Sequence, residues 1–338
     1  MRIAILSSVA WRTPPLDYGP WELVASLLTE RLVARGEDVT LFATADSVTS
    51  AALEAVLPHG YATDPRMDGR VWEAMHVGHA LELSGGFDVV HSHLDWLPLA
   101  LGASWGAPLL TTVHGFSGAA ILPAYARAAS NYVSISDSDR APELDYLATV
   151  HHGVDLAAFT ATVRTDGDLV VLGRIHPDKG TAVAIEIARR AGRRLLICGP
   201  VVDEEYFAER VAPHVDGERV IHLGSIGAAE RDRVLGASAV LLHPIAFAEP
   251  FGLAVIEAMA CGTPVVAYRR GSMPELIDEG VTGFVVDGLG DAVAAVDRAA
   301  SLDRSAVRTV AERRFGVDRM VDEYLAIYRR LVAGTGDA

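Results

Sequence analysis

Two short segments concentrate the residue types that hold and activate a phosphorylated ligand. The first, GRIHPDKG at positions 173–180, closes an apolar strand-like run and opens a helical pattern near Thr181. Arg174 offers a planar fork of donors suited to two phosphate oxygens. Five residues on, Lys179 adds a compact point charge beside Gly180, where backbone can approach closely. With the free amides of a helix N-terminus, these cations make a site for a diphosphate; the plain alternative is a surface loop with two incidental charges. The lysine favours the first reading. Of 29 basic residues it is the only lysine, in a chain with one asparagine and no glutamine, so a coding bias that replaced lysine elsewhere spared this position.

The second segment is EPFGLAVIEAMACGTPVVAY at 249–268. Its pattern predicts a helix from about Phe251 to Cys261, stopped by Gly262, with Glu249 in the preceding loop and Glu257 in the second turn. Two carboxylates eight positions apart across such a corner address two parts of one elongated ligand. The amides of Phe251, Gly252 and Leu253 face the same space. Glu249 alone would suit a helix N-terminus electrostatically, but Ala254, Val255, Ala258 and Met259 surround Glu257 with apolar neighbours and argue against a solvated role. A third segment, HSHLD at 91–95, sets His91 and His93 on one face of a strand with Asp95 beyond. It reads as an acceptor-pocket contact, as packing, or as a zinc site that lacks a third spaced ligand.

The elements that must carry these groups alternate from end to end, short apolar runs with helical patterns, as βαβ units do. Runs at Arg2–Val9, Asp38–Thr44, Asp88–His93, Leu109–His114 and Asn131–Ser136 form one set. Runs at Leu169–Arg174, Arg193–Gly199, Arg219–Gly224, Ala239–Pro244, Pro264–Tyr268 and Gly283–Val286 form another. Two sets predict two doubly wound parallel sheets, with a linker in the polar, aperiodic stretch 151–168. A closing amphipathic helix, Phe315 to Val332, stripes Met320, Tyr324, Ile327, Tyr328 and Leu331. It is either the last helix of the second domain or a strut to the first. Ligands of open α/β sheets bind beyond the carboxyl ends of the strands, which is where all three segments fall.

Length and charge narrow the function. The 338 residues suit two domains, and a net charge of −15 repels nucleic acid and anionic lipid headgroups. Residues 1–155 are the more lopsided part, with 8 arginines against 18 acids. Cys198 and Cys261 sit in apolar stretches without metal spacing and read as buried thiols of a reducing compartment, the cytoplasm. Met1 to Val9 reads as a buried first strand, since Trp11, Arg12 and two prolines follow it where a cleavage site would be needed. The uncharged run Trp96 to Val113 holds two prolines and two glycines and is no membrane span. Nothing assigns an oligomeric state. No G-x-G-x-x-G follows the first strand, and no phosphate loop or H-E-x-x-H is present.

Taken together, GRIHPDKG, the Glu249-to-Glu257 spacing, CGTPVVA after it and EGVTGFVV at 279–286 resemble the retaining glycosyltransferases of family 4 over nearly the whole chain. The resemblance implies an α/β fold of two facing Rossmann-like doubly wound parallel-sheet domains, the GT-B type, with a deep interdomain cleft. Residues 1–155, with the closing helix at about 316–338, would form the acceptor domain, and 156–315 the donor domain. It further implies that Arg174 and Lys179 hold the donor diphosphate, that Glu249 and the amides of Phe251 to Leu253 bind the sugar and a phosphate oxygen, that Glu257 binds the ribose, and that Ile226 borders the base. The strand end TTVHGF at 111–116 matches as well and would set His114 against the transferred sugar. In YGPWELV at 18–24, Gly19 matches the first of the family's two early glycines and would let the chain approach the donor. Pro20 replaces the second and removes one backbone donor. Trp21, His93 and Asp95 are the acceptor-side candidates, and His151 and His152 are hinge residues standing where the family often has Asn before Gly-Val-Asp. The expected reaction moves a hexose from a UDP- or GDP-sugar to a hydroxyl of a small-molecule or saccharide acceptor, without metal or other cofactor. A nucleotide-sugar epimerase, a phosphorylase on the same scaffold and a non-catalytic sugar-binding protein are the alternatives.

Overall fold

A computed structural model describes residues 1–115, 120–128 and 130–334. Phe116 of the TTVHGF match and the last four residues of the predicted closing segment lie outside them. The chain divides into two compact units, Met1–Gly153 with the C-terminal segment from Val317, and Val154–Gly316.

In the first unit, seven parallel strands run in the order β3-β2-β1-β4-β5-β6-β7: β1 Arg2–Leu6, β2 Asp38–Phe42, β3 Ala52–Glu54, β4 Val89–Ser92, β5 Leu109–Val113, β6 Asn131–Ser134 and β7 Tyr146–Thr149. The central strands are apolar because helices cover both faces of a parallel sheet; every residue of β4 and β5 is buried. The edge strands β3 and β7 have no fully buried residue, and the apolar runs of the sequence do not announce them.

The second unit repeats the plan with six parallel strands in the order β10-β9-β8-β11-β12-β13: β8 Leu169–Leu172, β9 Leu195–Cys198, β10 Val220–Gly224, β11 Val240–His243, β12 Val265–Tyr268 and β13 Gly283–Val286. Leu169, Val171, Leu195, Ile197, Val240 and Leu242 of these strands share one core with Ala184, Ile187, Ala295 and Ala299 of helices Thr181–Ala191 and Leu289–Ala300. In each sheet the order reverses beside the first strand, between β1 and β4 and between β8 and β11. The two loops that leave such a switch point diverge and leave a crevice for a ligand.

The change of unit falls inside the stretch 151–168, whose later part is bonded to the second unit: Val154 N–H donates to the Phe315 carbonyl (2.8 Å), Thr160 N–H to Asp232 (2.7 Å) and Thr162 N–H to the Cys261 carbonyl (3.1 Å). The change of unit falls at Gly153–Val154 because these bonds fasten residues 154–162 to the second unit. The helix expected from Phe251 spans Leu253–Ala260, two residues later, with Gly252 as its N-cap. The amides of Phe251 and Gly252 therefore belong to the turn before the helix. The C-terminal helix runs Val317–Gly334 and groups with the first unit, burying Met320, Tyr324, Ile327 and Tyr328 while Leu331 is half-buried.

Candidate active site

In the second unit the carboxyl ends of β8 and β11, neighbours in the sheet, bring the two motif loops together. Arg174 follows Gly173 directly after β8 and is half-buried, and Pro177–Lys179 forms a short turn ahead of the Thr181–Ala191 helix. The turn demands glycine at 180. Its φ is +70°, and a Cβ there would stand 2.0 Å from the carbonyl oxygen of Pro244, so the β8 turn and the segment after β11 touch backbone to backbone. An Ala246 N–H bond to the Asp178 carbonyl, 2.8 Å, ties them again.

This contact sets Lys179 against Glu249. The lysine ammonium donates to Glu249 Oε2 and lies 4.7 Å from the centre of the Phe247 ring. His243, the last residue of β11, places Nε2 3.7 Å from the same carboxylate oxygen. Burial by itself raises the Glu249 carboxyl, but His243 and Lys179 outweigh it and hold the group at about 2, so it stays ionised. The Glu249 loop is pinned in turn by Ser272, whose N–H donates to the Glu249 carbonyl (3.0 Å) and whose hydroxyl donates to the Phe251 carbonyl.

Glu257 lies in the second turn of the Leu253–Ala260 helix and is buried. Burial raises its carboxyl, opposed by Arg231, whose Nη1 donates to Oε1 at 2.8 Å. Arg231 belongs to the Ala228–Ala237 helix, just after the loop that holds buried Ile226. Glu249 and Glu257 thus differ in setting: one is an ionised partner for a cation, the other a buried acceptor with one arginine.

The first unit carries a separate cluster at the ends of its own strands. Gly19 has φ +152° and caps the Pro20–Ala34 helix, where a Cβ would press to 2.9 Å on both Pro15 and the Glu22 carboxylate. Pro20 costs the helix nothing at its first position, whose N–H has no helical partner. Trp21 stacks on His114 with ring centres 5.5 Å apart. His93 Nδ1 lies 2.9 Å from His114 Nε2, and His114 Nδ1 lies 3.3 Å from His152 Nε2. Asp95 is not part of this group: it accepts from the Tyr125 hydroxyl. The zinc reading of HSHLD finds no support, since no group of three or more His, Cys, Asp or Glu among the described residues is placed to hold a metal ion.

Four residues of these clusters escaped sequence reading. His243 and His152 lie at strand ends, where the carboxyl-end rule points, but one ends an apolar run and the other stands in an expected hinge. Arg231 carries no motif. Glu22 is buried beneath Gly19, its carboxyl raised by burial and eased by Ser8 and the Trp11 N–H at 3.3 Å.

The two halves match two family descriptions: residues 22–157 match Glycosyltransferase Family 4, and residues 158–310 match Glycosyl transferases group 1. A D-inositol 3-phosphate glycosyltransferase of Mycolicibacterium smegmatis is 30% identical over 74% of this chain and 68% of its own. Another protein of that name, from Pseudarthrobacter chlorophenolicus, is 28% identical over 85% of this chain and 83% of its own. The crystal structure of AviGT4, a glycosyltransferase involved in avilamycin A biosynthesis, superposes over 99% of this chain and 98% of its own with a TM-score of 0.78 and 26% identity.

Proposed function

The chain belongs to the family 4 glycosyltransferases, and from that premise we propose that it moves a hexose from a UDP- or GDP-sugar to a hydroxyl of a small-molecule or saccharide acceptor, with retention and without a metal. The observation that carries the donor half of this reading is the grouping of half-buried Lys179 and Glu249 with buried His243 where β8 and β11 end, with Arg174 on the same loop as the lysine. Lys179 has three N–H donors, and its pairing with Glu249 leaves others for phosphate oxygens.

The bond that breaks joins the anomeric carbon to a phosphate oxygen, and the bond that forms joins that carbon to the acceptor oxygen. The departing diphosphate gains negative charge and takes the acceptor proton on the same face. Arg174, Lys179 and the amide of Leu253 answer that charge without reorganising. Glu249 binds sugar hydroxyls with the Phe251 and Gly252 amides, Glu257 binds the ribose hydroxyls, and Ile226 borders the base. In the first unit His114 faces the transferred sugar, Gly19 lets the chain approach the donor, and Trp21, His93 and Asp95 stand on the acceptor side.

The relatives' names specify a phosphorylated inositol. For this chain we infer a neutral or cationic acceptor instead, because residues 1–155 hold 8 arginines against 18 acids and Arg2, Arg66 and Arg140 are already paired with aspartates. A cytoplasmic setting fits two buried free thiols; no helix among the described residues is long and apolar enough to cross a membrane. Transfer assays with UDP- and GDP-hexoses test the reading. Lys179→Ala and Glu249→Ala are expected to lower kcat roughly 10²-fold, as loss of one preorganised donor does. Normal turnover in both variants refutes the site. Donor isomerised without acceptor, a requirement for inorganic phosphate, or binding without nucleotide release points instead to an epimerase, a phosphorylase or a binding protein.

A further inference from the structure

Four buried imidazoles succeed one another through the first unit. The His91 ring centre lies 4.3 Å from that of His93, and His93, His114 and His152 are joined nitrogen to nitrogen at 2.9 and 3.3 Å. Burial holds every ring neutral, His93 and His152 at about 3. A neutral imidazole has one N–H and one lone pair, so such a chain runs in a single direction and spends both ring nitrogens of His114 on its neighbours. In either direction one ring nitrogen of His114 donates and the other accepts, so His93 and His152 together fix its tautomer.

Both ends of the array rest on the C-terminal helix Val317–Gly334. Arg319 Nη2 donates to the carbonyls of His151 (2.5 Å) and His152 (3.3 Å), and Gly153 N–H meets the Met320 sulfur at 3.2 Å. At the far end His91 lies 2.6 Å from the Tyr328 hydroxyl and 2.7 Å from Thr112, which the Tyr324 hydroxyl meets at 2.8 Å.

We propose that His93 and His152 are positioning residues that lock His114 in one tautomer and one ring orientation, with the C-terminal helix as the support that holds His152 in place. His114 then presents its main chain and ring edge to a ligand, and not a free ring nitrogen. The inference rests on the transferase reading, in which His114 faces the sugar. His152 stands at a position where the resembled family often has Asn.

The chain itself is read by NMR of the intact, histidine-15N-labelled protein. A nitrogen–nitrogen coupling across the His93–His114 hydrogen bond and the signature of a single neutral tautomer for His114 are expected; absence of the coupling, or a His114 that averages between tautomers, overturns the proposal. Its consequence is read by kinetics with the UDP- or GDP-hexose that the wild type uses. His152→Leu is expected to lower kcat about 10-fold or more, as slight misplacement of a reacting group does, with donor KM little changed. His152→Gln, which keeps a polar atom near Nε2, recovers most of the loss. Equal impairment of both variants, or of neither, overturns the positioning role. A wild type without transferase activity refutes the transferase reading alone, and the NMR result still decides the chain.

Discussion

Glu249 concentrates the electrostatics of the cluster where β8 and β11 end. Burial would raise its carboxyl, yet His243 and Lys179 hold it at about 2, below its ordinary 4.5. A carboxyl lowered on folding adds stability that is complete above the unfolded value and is lost as the pH falls from about 4.5 through about 2. Glu257 has the opposite sign: burial raises it, so its ionised form costs stability as the pH rises through the folded value. Melting temperature is therefore expected to fall more steeply below pH 4.5 in the wild type than in Glu249→Gln; parallel slopes in the two proteins contradict the assignment. At this scale the charged members of the cluster were legible, because Lys179 and Glu249 each stand in a motif. His243 was not, because a histidine ending an apolar run says nothing until β11 is known to pair with β8.

Among the elements, the strand–turn–helix at 169–191 makes a strict demand. Gly180→Ala places a side chain in the left-handed region and drives it toward the Pro244 carbonyl at 2.0 Å, so the two motif loops must separate. The left-handed region costs about 1–2 kcal/mol before the clash is counted. A lowered denaturant midpoint with unchanged slope, together with weakened nucleotide binding, is expected; a variant as stable as the wild type would show that the loops do not depend on this contact. The central strands were readable for a related reason: helices cover both faces of a parallel sheet, so each strand is a largely apolar run. Edge strands β3 and β7 bury less and carry no such run. The start of the Leu253–Ala260 helix was misread by two residues because Phe251 continues the apolar pattern while Gly252 takes the cap.

For the molecule as a whole, two units with separate cores mean that a ligand of one stabilises that unit first. UDP or GDP at 100 times its dissociation constant should stabilise the second unit by about 2.7 kcal/mol. The solitary lysine supplies a chemical readout of the same event, since an amine reagent has Lys179 as its single side-chain target. Saturating nucleotide is expected to slow modification at Lys179 while leaving the amino terminus reactive. Equal labelling with and without every nucleotide tried would remove Lys179 from the diphosphate site.

The sequence by itself determined the two parallel-sheet units and the loops that carry chemistry, since apolar period, helix caps and motif spacing are local properties of the chain. Tertiary structure alone decided the partnerships: Glu249 with His243 and Lys179, Glu257 with Arg231, and His114 with His93 and His152. Such pairs join residues on separate strands and helices. Strand order and crossover connections set those meetings, and no local pattern encodes them.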